Sequence, residues 1–187
     1  TLLIEGHYLD ASGNLIFHVQ TVTLTGTTAV TLSQPLARCS RMYVTTSGLV
    51  VGTVTVNAGE GGTAYNRITA GSSTSEKAAS SMSYRDYMIL IGFGSSILDS
   101  GNNTSVSFRF QIKPVNGVWR TQARWSLKGD NTHYDRDLSY VPFIINPNTD
   151  FRIQASASHA ATIIEAHMDA YLAIDRALIN NPSPAPA

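Results

Sequence analysis

Two consecutive stretches alternate with period two, and that alternation constrains the fold more than any other feature. In residues 104–113, Val106, Phe108, Phe110 and Ile112 fall on one side. Ser105, Ser107, Arg109, Gln111 and Lys113 fall on the other. In residues 118–127, Trp119, Thr121, Ala123, Trp125 and Leu127 oppose Arg120, Gln122 and Arg124. Successive side chains of a strand point to opposite faces, so each stretch reads as a half-buried strand. Between them, Pro114-Val115-Asn116-Gly117 ends in Asn-Gly, which tolerates the positive φ of a tight turn. An antiparallel hairpin is predicted, with one core face and one wet face. Its apolar face needs a second layer to cover it.

The rest of the chain supplies material for that layer. Gly, Asn, Asp, Pro and Ser punctuate the sequence every eight to twelve residues. Residues 15–24, 41–46 and 50–56 read as strands. Residues 88–97 are nearly continuously apolar around Gly92 and Gly94, as in a buried strand with a bulge or a close backbone approach. Residues 162–174 alternate Ile164, Ala166, Met168, Ala170, Leu172 and Ile174 with Glu165, His167, Asp169 and Tyr171. One helical face would not collect all six, so a strand is expected rather than a helix. Residues 175–179 could add a helical turn, and the Pro-rich 180–187 is expected to be extended. The predicted fold class is all-β, an antiparallel two-sheet sandwich of jelly-roll type. Residues 1–14 form an N-terminal strand or arm, 15–175 a single sandwich domain, and 176–187 a short tail. Two halves of similar style, 15–83 and 84–175, are visible but do not align as copies.

Composition excludes several function classes. Lys plus Arg and Asp plus Glu are equal at 13 each, so no net positive charge favours nucleic acid or an anionic membrane. Charged residues are 14% of the chain against roughly 25% in an average globular domain, and Ser and Thr fill the gap. With 43% hydrophobic residues the chain is not expected to be disordered. One cysteine cannot form an intramolecular disulfide or a multi-cysteine metal site. No apolar run approaches the roughly 20 residues of a membrane-spanning helix, and no signal-peptide pattern is legible.

No reactive constellation declares itself. The five histidines, His7, His18, His133, His159 and His167, lack compact ligand spacing. Cys39 reads as a small buried hydrophobe. Gly92-Phe93-Gly94-Ser95-Ser96 begins like a hydrolase elbow, but Leu98 replaces the last glycine and no helix follows. Gly59-Glu60-Gly61-Gly62 lacks the lysine and helix of a phosphate loop and is read as a hairpin loop. Asp130, Asp135 and Asp137 crowd one stretch but without the glycine and glutamate of a calcium loop; they are read as a solvated loop. No catalytic residue, cofactor or metal is assigned.

The wet face of the hairpin carries the sharper signal. Arg109, Lys113, Arg120 and Arg124 are all expected on it. Like charges on one sheet face repel unless acids approach. They can pair within the chain, with the 130–137 acids as candidates. Alternatively they form a docking face for an acidic partner or a neighbouring subunit, where an arginine fork binds carboxylates.

Three segments, taken together, resemble a known group. They are 22–56 (VTLTGTTAVTLSQPLARCSRMYVTTSGLVVGTVTV), 87–125 (with MILIGFGSSI and SVSFRFQIKPVNGVWRTQARW) and 140–172 (with VPFIINPNTDFRIQASAS and IIEAHMDAYL). The set resembles jelly-roll capsid cement or decoration proteins, and related fibre-head domains, of tailed bacteriophages. The resemblance implies a non-enzymatic structural protein on the virion capsid surface. It implies the major capsid protein as partner and a homo-oligomer, a trimer being favoured. The alternative is a tail-associated fibre-head protein that binds host glycan. The additional segment 2–9 could complete the sheet, or act as an arm on another subunit's edge strand.

Overall fold

The structure, a computed structural model, describes residues 1–46, 48–59, 62–75, 79–99, 104–129, 132–160 and 162–174. The helical turn expected over 175–179, the 180–187 tail, and Asp130 lie outside the described residues. All elements among the described residues are β-strands, and every named strand pairing within the two units is antiparallel. The expected all-β sandwich class is present. The chain divides into two compact units, 1–83 and 84–187. The division falls between the two sequence halves of similar style.

The first unit contains β1 (Leu2–Leu9), β2 (Leu15–Val22), β3 (Arg38–Val44), β4 (Val54–Asn57), β5 (Ala64–Ile68) and β6 (Ala79–Ser81). The N-terminal segment is the middle strand of a β2–β1–β3 sheet, which fits the sheet-completing alternative. The β1–β2 turn is held by Asp10, whose carboxylate accepts from the amides of Ser12 at 2.9 Å and Asn14 at 2.8 Å. These bonds, those to Asn14 foremost, favour the charged form and keep the carboxyl below its ordinary pKa. Gly6 is required where β3 crosses close: a β-carbon there would meet the Arg38 carbonyl oxygen and, at 2.9 Å, Leu36 Cδ1. The core gathers Leu2, Ile4, Val22, Cys39, Met42, Val50 and Ile68. Cys39 is buried as expected, and its sulfur accepts from Asn66 Nδ2 at 3.6 Å. The strand expected over 50–56 shortens to β4, which pairs antiparallel with β5.

The second unit is a two-sheet sandwich. Its strands are β7 (Asp86–Asp99), β8 (Ser105–Pro114), β9 (Arg120–Lys128), β10 (His133–Asp137), β11 (Phe143–Ile145), β12 (Thr149–Ala157) and β13 (Ile163–Ile174). In one sheet β7 is central. β13 pairs along one edge, and β10 and then β11 pair along the other. In the other sheet β8 lies between β12 and β9. The predicted hairpin is therefore β8–β9, and its turn places Asn116 at φ 60°. The strand reading of 162–174 is likewise met by β13.

Aromatic rings fill the space between the sheets. Phe108 stacks on Trp125 with centroids 5.5 Å apart, and Phe93 of the facing sheet lies 4.9 Å from Trp125. Phe93 also stacks on Phe110 at 5.8 Å, and Phe143 meets Phe110 edge-on. The Trp125 indole donates to Ser95 Oγ at 2.7 Å, tying β9 to β7. The Gly-Phe-Gly-Ser-Ser run is thus mid-strand in β7 and makes no elbow. Its serine is a buried acceptor beneath an indole.

Residues 133–137 are a strand, not the solvated loop expected. Tyr134 packs on Trp125 at 5.5 Å, and this apolar anchor seats β10 against β7. The single tyrosine between charged residues hid that strand in the sequence.

Candidate functional site

Each sheet of the second unit turns one face inward onto the aromatic core and one face outward. The two outward faces therefore lie on opposite sides of the sandwich. They carry opposite charge.

The basic face belongs to β12–β8–β9. In register across it run Ser156, Ser107 and Ser126, then Gln154, Arg109 and Arg124, then Arg152, Gln111 and Thr121. Lys113 pairs with Asp150 one step further, and Lys128 pairs with Ser105 at the other end. Arg109 and Arg124 are direct cross-strand neighbours, both exposed. Among the described residues neither has an ion-pair partner. Like charges directly opposite each other cost stability, a cost that a covering acid would relieve.

A register shift between Phe110 and Gln111 rearranges the end of the hairpin. The shift skips Gln122, so Thr121 sits beside Gln111 and accepts from Gln111 Nε2 at 3.2 Å. Trp119, expected on the core side, is carried to the outer face. There Arg152 lies over its ring at 4.1 Å and Lys113 at 5.7 Å. Arg152 Nε donates to Gln111 Oε1 at 3.0 Å. Arg120 moves the other way: it pairs with Ile112, on the core-side parity, and is exposed at the sheet end. Of the four expected docking residues, Arg109, Lys113 and Arg124 share this face and Arg120 does not. Arg152 and Lys128 join them. Arg152 alternates with Phe151 and Ile153 in the sequence, which marked it as outward but not as a neighbour of β8.

The in-chain pairing expected with the 130–137 acids does not form among the described residues. Lys113 Nζ lies 3.6 Å from the buried Asp150 instead. Asp135 and Asp137 are on the other sheet.

That other sheet presents the acidic face. Across β10, β7 and β13, the rungs read His133–Ser96–Glu165, Asp135–Gly94–His167 and Asp137–Gly92–Asp169. The flanking six side chains are all exposed. The central strand has no side chains at Gly92 and Gly94, and the flanking groups lean over this bare floor. His167 Nε2 lies 3.3 Å from Asp135 Oδ1, and both pack where a Gly94 β-carbon would stand. Asp169 Oδ2 lies 3.1 Å from the position of a Gly92 β-carbon. The result is an open cleft of about 350 Å³ lined by Gly92, Asp135, Asp137, His167 and Asp169, among others. Asp137 also takes hydrogen bonds from the side chain and amide of Ser139, the amide at 2.7 Å, which hold its carboxyl below the ordinary range. Next to the acids the same face turns apolar, with the rung Ile144–Ile89–Tyr171, in which Ile144 and Tyr171 are more than half exposed.

Among the described residues, no three His, Cys, Asp or Glu side chains converge closely enough to hold a metal ion. What the two faces can do is recognise charge: carboxylates on one side, guanidinium and ammonium groups on the other. Comparison with known proteins returns no match, whether to a family model, a curated protein or a solved structure.

Proposed function

We propose that this chain is a structural protein of a bacteriophage particle, a capsid cement or decoration protein of jelly-roll type. It acts by docking, without catalysis, and stiffens the shell by joining neighbouring subunits. The observation that carries this reading is the outer face of β12–β8–β9. Arg109, Arg124, Arg152, Lys113 and Lys128 lie along it, and Arg109 and Arg124 face each other without an acid. A face that repels itself is stabilised when an acidic protein surface covers it, and planar guanidinium groups favour carboxylates. The sequence resemblance of 22–56, 87–125 and 140–172 supplies the setting, a virion surface with the major capsid protein among the partners. Repetition over a lattice lets many modest contacts add up.

The test is placement on purified particles by immunogold labelling, followed by attachment of Arg109→Glu/Arg124→Glu protein. Regular labelling over the head and loss of attachment by the folded variant are expected. Labelling confined to the tail would instead make the protein a fibre-head module. Undiminished attachment of the variant would reject the basic face as the docking surface.

A further inference from the structure

We infer that the basic face docks onto the acidic face of a second copy of this chain. This rests on the reading above of the basic face as a docking surface, and adds that in free solution its occupant is a second copy of this chain. The argument is complementarity of charge. On the basic face the exposed Arg109 of the central strand β8 stands directly beside the exposed Arg124 of β9. On the acidic face Asp135 and Asp137 of β10 and Glu165 and Asp169 of β13 flank the glycines of β7; Asp135 and His167 meet over Gly94, and Arg136 also lines the cleft. A pair of exposed cations meets a face that carries four exposed carboxylates. Both are laid out on the same lattice, strands about 4.8 Å apart and same-face residues about 6.8 Å apart along each strand. The self-repelling pair Arg109 and Arg124 gains the acids it lacks, and the exposed carboxylates of the other face gain cations. The chain as a whole is electrically neutral, so copies do not repel each other at long range.

The two faces differ, so the contact is heterologous. A copy that has docked by its basic face still offers its acidic face, and association runs past the dimer. Three strands of about ten residues give a flat area on the order of 500 Å² per partner. That is below the roughly 800 Å² of a standard stable interface. Each contact is therefore weak alone and strongly dependent on salt. The exposed Ile144 and Tyr171 beside the acids add apolar area.

Sedimentation velocity on the full chain tests this. At about 20 mM NaCl, species larger than a dimer should grow with protein concentration, and they should dissociate at about 1 M NaCl, where the screening length falls to about 3 Å. Arg109→Glu/Arg124→Glu and, separately, Asp135→Lys/Asp169→Lys should each be monomeric while melting as folded proteins. Mixing the two variants should restore association, because each swapped face then meets its complement. A wild type that stays monomeric at low salt overturns the inference. So does an oligomer that survives both high salt and the two swaps, or a closed dimer. If the wild type is monomeric and Arg109→Glu/Arg124→Glu still abolishes particle attachment, the self-docking inference alone falls. If the variants behave as expected in solution but Arg109→Glu/Arg124→Glu attaches normally to particles, the capsid-docking reading alone falls.

Discussion

Ser95→Ala should destabilise the protein by about 1–3 kcal/mol, although it deletes a single oxygen. The hydroxyl is the acceptor of the Trp125 indole at 2.7 Å, with Ser95 only 2% and Trp125 9% exposed. Its loss leaves a buried N–H without that partner. Trp125→Phe should cost about 2–4 kcal/mol, since it orphans the serine hydroxyl, opens a void and alters the stack on Phe108. The double variant should be about as stable as Trp125→Phe alone, because removing an already orphaned hydroxyl costs nothing further. The coupling energy should therefore equal most of the Ser95→Ala cost. Urea unfolding followed by far-ultraviolet circular dichroism measures all four corners of the cycle. Fluorescence is a poor probe here, because Trp125 is one of two tryptophans. Additivity of the two single costs within about 0.5 kcal/mol would refute the claim that this bond links the two sheets.

Gly6→Ala should cost about 1–3 kcal/mol in a urea midpoint measurement, because its β-carbon meets the Arg38 backbone, which cannot swing away. Gly94→Ala should stay within about 1 kcal/mol of wild type, since it only displaces the mobile ends of Asp135 and His167; nuclear magnetic resonance should show that pair separated. Asn148, at φ 54°, should lose at least about 1 kcal/mol on change to Ala, read by thermal unfolding. Asp10 and Asp137 have folded pKa values below the ordinary 3.8, so their stabilisation is present above that pH and lost as pH falls through the folded values. Asp10→Asn/Asp137→Asn should therefore show a smaller drop in urea midpoint between about pH 5 and about pH 2.5 than wild type.

Local alternation alone determined much of the fold. The β8–β9 hairpin, the apolar β7 and the alternating β13 were legible because period two survives without any knowledge of neighbours. The same alternation marked Arg109, Lys113 and Arg124 as outward. It failed where a tertiary event broke the period. The register shift that skips Gln122 flips every side chain beyond it, so Trp119 went out to Arg152 and Arg120 left the face. β10 escaped notice because its apolar contribution is one ring, Tyr134, whose worth depends on Trp125 waiting across the core.

The acidic face was out of reach for a different reason. Asp135 and Asp137 stand together in the sequence, and Glu165, His167 and Asp169 stand about thirty residues on. Nothing local says that β10 and β13 flank the same strand, or that Gly92 and Gly94 form the floor between them. Which strands become neighbours is decided by how the sheets bury their aromatic faces, and that is a property of the whole packed unit. The sequence therefore settled which residues of β8 face water, and the tertiary structure decided the exceptions elsewhere and which outward residues face each other.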